Sequence, residues 1–427
     1  MTLAGELNGP QLSGDEKTSH HAFARYVTVL IIMLMLVSGS WVSNRGADWI
    51  QITLLVSTFG FAMLRAPLRS MNARAFYSFA AIFVTIAIIP MLRPDGYSKQ
   101  DILFLVQILV GFIAALACMI DYRQAFRIFA RAMYWLTLSS LLLFPLVFIL
   151  PELLIPVPDI FMEQSQKSSG HHRTFYTLFG ISYFASGQGI SSIWRNQSIF
   201  WEPGMFGFMG VVALALSDAI GGSRKEKAVF ALGVVSTFAP GAYGLLALYF
   251  GIRLVRGNKR GIIVLGLIIA VYVTVALSSI SLVRAVVQLL FDRDIYNDSS
   301  VSIRSTDLWL PYVAALKSPL FGQASIEPYE NAMSAAINKR RFGITNSVGA
   351  YFYRYGYPWA LAFIAWAFYA LSRGGVAFSA LPFILFFGLM YEPLGFSSLF
   401  LFLLFLAVAA RSNHTRDNRA GSPKVRG

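Results

Sequence analysis

The apolar runs of this sequence constrain its fold more than any other feature. They fall near residues 26–43, 48–64, 75–92, 101–120, 132–150, 203–220, 228–239, 241–255, 261–282, 355–372, 375–391 and 395–410. Most approach the roughly 20 residues a helix needs to cross a hydrocarbon layer. Inside such a layer every backbone N–H and C=O needs a partner within the protein, which helices supply from their own turns. Charge is scarce as well: 13% of the 427 residues are Asp, Glu, Lys or Arg, against roughly 25% in a soluble domain. The expected fold is an all-α polytopic integral membrane protein with about 12 transmembrane helices.

The positions of the charges orient these runs. The net charge of +14 would suit nucleic acid in a soluble protein, but in a membrane protein the placement of Lys and Arg says more than their sum. Arg65, Arg69 and Arg74, then Arg123, Arg127 and Arg131, fall on one side. So do the cluster Arg253, Arg256, Lys259 and Arg260 and the tail with Arg411, Arg416, Arg419, Lys424 and Arg426. This is the positive-inside side, which puts both termini in the cytoplasm and leaves no role for nucleic acid. Arg224, Lys225 and Lys227 precede the run 228–255, and Arg253 to Arg260 close it. A single crossing would carry one basic group to the far side. Two short helices broken at Ala239-Pro240-Gly241 avoid that, and such interrupted segments persist in a bilayer where protein buries them. The single cysteine, Cys118, excludes an internal disulfide. No cleavable signal pattern stands out at the start, so the first apolar run is expected to remain as a helix.

The resulting organisation is a polar cytoplasmic segment 1–25, transmembrane helices over 26–150 and an outer loop over 151–202. Central helices over 203–282 contain the broken hairpin 228–255. A second outer loop, 283–354, precedes the C-terminal helices 355–410 and a basic cytoplasmic tail, 411–427. Loops this long are functional or disordered, and these are rich in aromatics. An amphipathic helix is expected over His172–Ala185 and a short one over Ala332–Lys339, so the loops should form a compact outer cap.

Within the first loop, Arg195-Asn196-Gln197-Ser198-Ile199-Phe200-Trp201-Glu202-Pro203-Gly204 concentrates an arginine, amides, aromatics and a carboxylate at the mouth of an apolar helix. Pro203 suits the first turn of that helix, where a missing N–H costs little, and Glu202 lies beside its positive dipole end. The stretch is either an aromatic interface anchor with a capping carboxylate or part of a site. The two loops also hold Arg173, Arg195, Arg284, Arg293, Arg304, Arg340, Arg341 and Arg354, where outer loops normally avoid basic residues. Neighbouring carboxylates, among them Glu202, Asp307 and Glu330, either balance them or leave a site for an anion. Arginine binds phosphate through a planar fork and keeps its charge.

Metal and nucleotide chemistry have little support. Asp292-Arg293-Asp294 is two acids after an apolar run, and His171-His172 has no acidic or cysteine partner at ligand spacing. There is no phosphate-cradling Gly-rich loop, dinucleotide fingerprint or nucleophile elbow. No metal and no cofactor are expected, so the energy for any reaction must arrive with the substrate.

Three places resemble the Wzy-type bacterial polysaccharide polymerases and the related O-antigen ligases. Arg195 to Gly204 is similar to their R-x-x-G/S-I-F-W-E-P-G signature. Arg304, Trp309, Ala314, Pro319 and Gly322 are similar to the run in their second outer loop. Thr345-Asn346-Ser347 with Tyr355-Gly356 is similar to the stretch that opens the next span, and Ser236-Thr237-Phe238 to Tyr243 looks like their T-F-S-x-x-G-Y break. The resemblance covers residues 190–395. It implies a GT-C-like glycosyltransferase architecture with two structured periplasmic loops in a bacterial inner membrane. The activity it implies joins oligosaccharide repeat units carried on undecaprenyl pyrophosphate, for exopolysaccharide, capsule or O-antigen, with a flippase and a chain-length regulator (co-polymerase) as partners.

On that reading Arg195 and Arg304 stabilise the departing pyrophosphate, with Arg340, Arg341 and Arg354 behind them. Glu202, or Asp307 after it, accepts the acceptor hydroxyl's proton or orients an arginine. Trp201, Trp309 and Asn346 contact sugars, and transfer is metal-independent and inverting. The ligases carry a histidine where this chain has Thr345, which counts against a lipid A–core ligase. The competing readings are an O-antigen-ligase-like glycosyltransferase and a lipid-linked oligosaccharide flippase or transporter. Transporters tend to place ionisable groups within their spans at roughly 3 kcal/mol each. Here Asp218 and Glu392 lie near run ends, and the unusual chemistry is in the loops.

Overall fold

The computed structural model describes residues 14–38, 40, 48–65, 73–93, 95–119, 122–150, 152, 154–156, 174–177, 181–186, 193–200, 202–255, 310–326, 328, 329, 331, 346–372, 381–391 and 397–407. The chain is mostly helical. In the first group, α1 (Gly14–Ser38), α2 (Asp48–Arg65), α3 (Ala73–Ile88), α4 (Lys99–Cys118) and α5 (Tyr122–Leu143) are joined by short connections. α2 packs on α1 and α4, α3 packs on α4, and α1 reaches α5. Two helical segments, Lys99–Cys118 and Tyr122–Ile149, are long and apolar enough to cross a membrane. Shorter apolar helices run over Ala22–Ser38, Ile52–Leu64, Phe79–Leu92, Pro203–Ala219 and Ser398–Ala407. The apolar run 261–282 and the helix expected over Ala332–Lys339 lie outside the described residues.

The axis of the molecule is α6 (Pro203–Ala219). Its sequence is apolar on every face, and a helix of that kind has to be surrounded. Every residue from Pro203 to Ser217 is buried. Pro203 opens it at the first turn, with Glu202 as the N-cap residue. α5, α7 (Arg224–Ser236), α8 (Pro240–Val255) and α12 (Leu381–Tyr391) pack around it.

Helices α7 and α8 run along α6 in opposite directions. Ser223 and Glu226 start α7 with a reciprocal capping box, which satisfies two orphan N–H groups. The α7 N-terminus lies by Ser217 at the end of α6, where the Ser217 hydroxyl donates to Glu226 Oε2 at 3.3 Å. Its other end brings Val234 and Thr237 to Gly210 and Gly207 near the start of α6. After the break at Thr237–Ala239, Ala242 returns past Gly207, and Arg253 reaches the C-terminal part of α6 again. Lys227 Nζ and Arg253 Nη2 meet on Asp218 Oδ1, at 2.5 and 3.3 Å. The basic residues at the two ends of this reversal therefore share one end of the molecule.

The first loop departs from the helix expected over His172–Ala185. Thr174–Tyr176 and Ser182–Ser186 are strands β2 and β3 of a four-stranded antiparallel sheet. It runs in the order β1 (Ile155–Pro156), β2, β3, β4 (Ile193–Ser198). The aromatic residues that gave an amphipathic pattern fit a pleated, half-buried surface equally well, and their partners decide. Phe175 packs edge-on to Trp194 with ring centroids 5.4 Å apart, and Tyr183 stacks on Phe144 at 5.6 Å.

The second loop contributes α9 (Leu310–Ala315), a turn through Gly322, and α10 (Ser347–Tyr355). Then come α11 (Tyr357–Ser372), α12 and α13 (Ser398–Ala407). Gly356, at φ +80°, separates α10 from α11.

Gly207 permits a close backbone approach between α6 and α8. A Cβ there would stand 2.3 Å from the Ala242 Cβ, which cannot swing away. Gly207→Ala should lower stability by about 1–3 kcal/mol through overpacking, outweighing the roughly 0.8–1 kcal/mol that alanine gains in helix propensity. Gly210→Ala meets only the Val234 Cγ2 at 3.0 Å and should be milder. Thermal unfolding of both variants in detergent measures the difference.

Candidate functional site

Strand β4 carries the arginine-rich stretch singled out by the sequence, and it is inserted between helix ends. It packs on α5, α6 and α7, so its polar side chains must find partners there or remain unsatisfied in a low-dielectric interior. Asn196, fully buried, answers with both halves of its amide. Nδ2 donates to Ser140 Oγ on α5 and to Ser236 Oγ at the end of α7, each at 3.0 Å, and Oδ1 accepts from the Ser198 N–H at 3.0 Å. The two serine hydroxyls donate onward to the Thr137 and Gly233 carbonyls at 2.9 and 2.7 Å. Tyr183 adds a bond from its hydroxyl to the Ser140 carbonyl at 2.8 Å, and burial pushes its phenol pKa up. Gln197 Nε2 donates to Ser182 Oγ, which donates to the Ser198 carbonyl. A polar seam thus stitches the sheet to two helices.

Arg195 lies beside this seam, half-buried. Its Nε donates to the Thr237 carbonyl at 3.0 Å, a carbonyl freed by the break between α7 and α8. The Tyr243 phenol lies within electrostatic reach of the guanidinium, and its hydroxyl donates to the Val235 carbonyl at 2.7 Å. Glu202 is seven positions on, half-buried at the N-terminus of α6, where its side chain makes no capping bond.

Two kinds of irregularity collect here. Among the described residues, Ser198 and Phe238 are the non-glycine residues with left-handed φ, at +52° and +46°. Such positions cost about 1–3 kcal/mol each and gather at functional sites. Among the buried oxygens that lack a hydrogen-bond partner in the described residues are Gln197 Oε1, Ser198 Oγ and Thr137 Oγ1. An unmet polar atom of this kind costs about 1–3 kcal/mol. Strain and unmet hydrogen-bonding capacity therefore coincide on one short stretch around β4.

Arg354 belongs to a second cluster, on the last turn of α10. Its Nη2 donates to Gln100 Oε1. Burial lowers its pKa from the ordinary guanidinium value, partly offset by Tyr355 and Asp101. Nearby, Arg93 and Asp101 form a fully buried, two-pronged ion pair with N–O distances of 3.2 and 3.1 Å. Ser98 and Asp101 also form the capping box that starts α4. Arg93 also donates Nε to the Phe321 carbonyl at 3.1 Å, and its guanidinium lies 5.4 Å from the centroid of the Tyr355 ring. The turn through Gly322 is thereby fixed to α10. Gln323 N–H bonds to the Tyr353 carbonyl and Tyr357 N–H to the Pro319 carbonyl, at 2.9 and 2.8 Å. Gly322 has φ +69°, and a Cβ on it would meet the Arg354 carbonyl group at 2.2 Å.

Of the residues expected at the site, Arg195 and Glu202 share the β4–α6 corner, while Arg354 has the neighbours just described. Asn346, expected at a sugar, is buried: its Oδ1 caps α10 through the Gly349 N–H, and its Nδ2 faces the Tyr312 hydroxyl. Trp201, Arg304, Asp307, Trp309, Arg340 and Arg341 lie outside the described residues, as do His171-His172 and Asp292-Arg293-Asp294. No group of three or more His, Cys, Asp or Glu among the described residues is placed to hold a metal. Sequence reasoning missed Ser140, Arg93 and Asp101, and it named Ser236 only as part of the break after the helix. The Ser98-x-x-Asp101 spacing was a legible start signal for a helix, but nothing local marked Ser140. No protein-family model and no curated protein matches this chain.

Asn196→Asp preserves shape but removes both donated bonds and buries a charge. It should cost at least about 2 kcal/mol, measured as a lower unfolding temperature in detergent. For the second cluster, Asp101→Leu alone strands a buried guanidinium and should cost about 3–5 kcal/mol. Arg93→Met with Asp101→Leu should recover most of that loss.

Proposed function

We propose that this protein is a membrane-embedded glycosyltransferase that polymerises oligosaccharide repeat units. The units are carried on undecaprenyl pyrophosphate at the periplasmic face of a bacterial inner membrane. The architecture proposed is about 12 crossing helices, both termini cytoplasmic, with the two outer loops forming the site. The observation that carries the reading is the placement of Arg195: a half-buried guanidinium oriented by the Thr237 carbonyl at a helix break, in a stretch similar to the polymerase signature.

The chemistry follows from that placement. The acceptor hydroxyl attacks the anomeric carbon of the donor glycan as the bond to the lipid pyrophosphate breaks. Negative charge grows on the leaving diphosphate, and a cation already oriented toward it lowers the barrier without reorganising. Arg195 fills that role, with Arg304 and Arg354 supporting it. Glu202, on the same corner, takes the acceptor's proton. Direct displacement inverts the anomeric centre, and no metal enters the scheme.

The reading is tested by glycan output in a strain lacking the native gene. Arg195→Ala, checked for normal abundance, should reduce polymer by about 10²–10³-fold. Arg195→Lys should fail nearly as badly, because a point charge lacks the guanidinium fork. Lipid-linked single repeats should then accumulate on the outer leaflet. Accumulation on the inner leaflet would instead mark a flippase, and full-length polymer from Arg195→Ala would remove Arg195 from the mechanism.

A further inference from the structure

Helix α7 has two different long faces. One, with Phe230, Gly233 and Val234, is buried against α5 and α6. The other exposes Leu232 and Val235, at 57% and 48%, which lie three apart and so share one line along the helix. Phe238, in the turn just past the helix end at Ser236, is exposed as well, at 47%. Tyr243 at the start of α8 extends the line and is bonded to the Val235 carbonyl.

The upper end of this stripe sets it apart from other exposed apolar residues. Phe238 stands beside Thr237, whose carbonyl holds Arg195. It is also both strained and exposed. A strained aromatic is ordinarily explained by the packing it gains, yet this ring is turned outward. Other exposed apolar residues, such as Leu361 on α11, are exposed without a left-handed φ. An apolar stripe with a guanidinium at its end is complementary to one kind of molecule: an amphipathic anion with a phosphate head and a long apolar tail.

We infer that Leu232, Val235, Phe238 and Tyr243 seat the isoprenoid chain of a polyprenyl diphosphate whose head group engages Arg195. The inference deepens the proposed function by giving the donor lipid a direction: the head lies at the α7–α8 break and the tail runs down α7. Its chemistry depends on that reading only for the identity of the lipid.

The test uses the full chain in nanodiscs of phosphatidylethanolamine and phosphatidylglycerol. A photo-crosslinking amino acid replaces Leu232, Val235 or, as a control, Leu361. The probe is undecaprenyl diphosphate with an alkyne on its tail. Labelling is expected at positions 232 and 235 and not at 361. It should be competed by unlabelled undecaprenyl diphosphate but not by added phosphatidylglycerol or inorganic pyrophosphate. Adding Arg195→Gln, which keeps the side chain's bulk and loses its charge, should weaken labelling by about tenfold, and Phe238→Ala should weaken it with Arg195 intact.

Equal labelling at 361, competition by phosphatidylglycerol, or indifference to Arg195→Gln would mean ordinary membrane lipid only and overturn the inference. Labelling at 232 and 235 in a protein that makes no polymer would retain the lipid seat and discard the polymerase. Polymer formation without labelling there would do the reverse.

Discussion

One buried amide ties the four-stranded sheet of this protein to two of its helices. Asn196 sits on a short strand whose apolar anchor is Trp194, packed on Phe175, and its own buried side chain is held by polar contacts. Its two N–H groups are committed to hydroxyls on α5 and α7, and its oxygen to the strand's own backbone. In a medium that offers no replacement water, each bond is costly to break. The sheet is thus pinned at one register, and Arg195, one residue before the amide, points toward the break between α7 and α8.

The break is possible because α6 supplies what two interrupted helices lack. Each arm is short, and neither buries all of its own apolar surface. A fully enclosed axial helix with glycines at its start lets both arms lie close, one in each direction. The carbonyls released where α7 stops are taken up locally: Thr237 Oγ1 and N–H turn back to Val234, Tyr243 serves Val235, and Arg195 serves Thr237. The arginine is therefore both part of the fold's hydrogen-bond accounting and the centre of its proposed chemistry. Its placement need not have been optimised for one purpose alone.

The helices were legible in the sequence because the apolar runs are long and the start signals are local. Pro203 opens α6, and the Pro240 break divides α7 from α8. The sheet was not legible. Over three to six residues, Thr174–Tyr176 and Ser182–Ser186 satisfy a helical or a strand pattern equally well, and the decision is made by docking on Phe144 and Ser140 far away in the chain. The site was half legible. Composition marked Arg195 and Glu202, but the Thr237 carbonyl that orients the arginine is 42 positions distant. Arg93 drew no attention because its surroundings resemble an ordinary short connection. Its importance comes from Phe321, 228 positions away.

The joint between the Pro319–Gln323 turn and the end of α10 rests in part on two main-chain hydrogen bonds, Gln323 N–H to the Tyr353 carbonyl and Tyr357 N–H to the Pro319 carbonyl. Every residue type except proline offers the same N–H and C=O, so side chains can drift at Leu320 or Phe321 without removing either bond. What cannot drift are Gly322 and Gly356, where a Cβ would collide with the opposing backbone. Two glycines some thirty residues apart, with little else shared between them, would be the trace this joint leaves in diverged descendants of the chain.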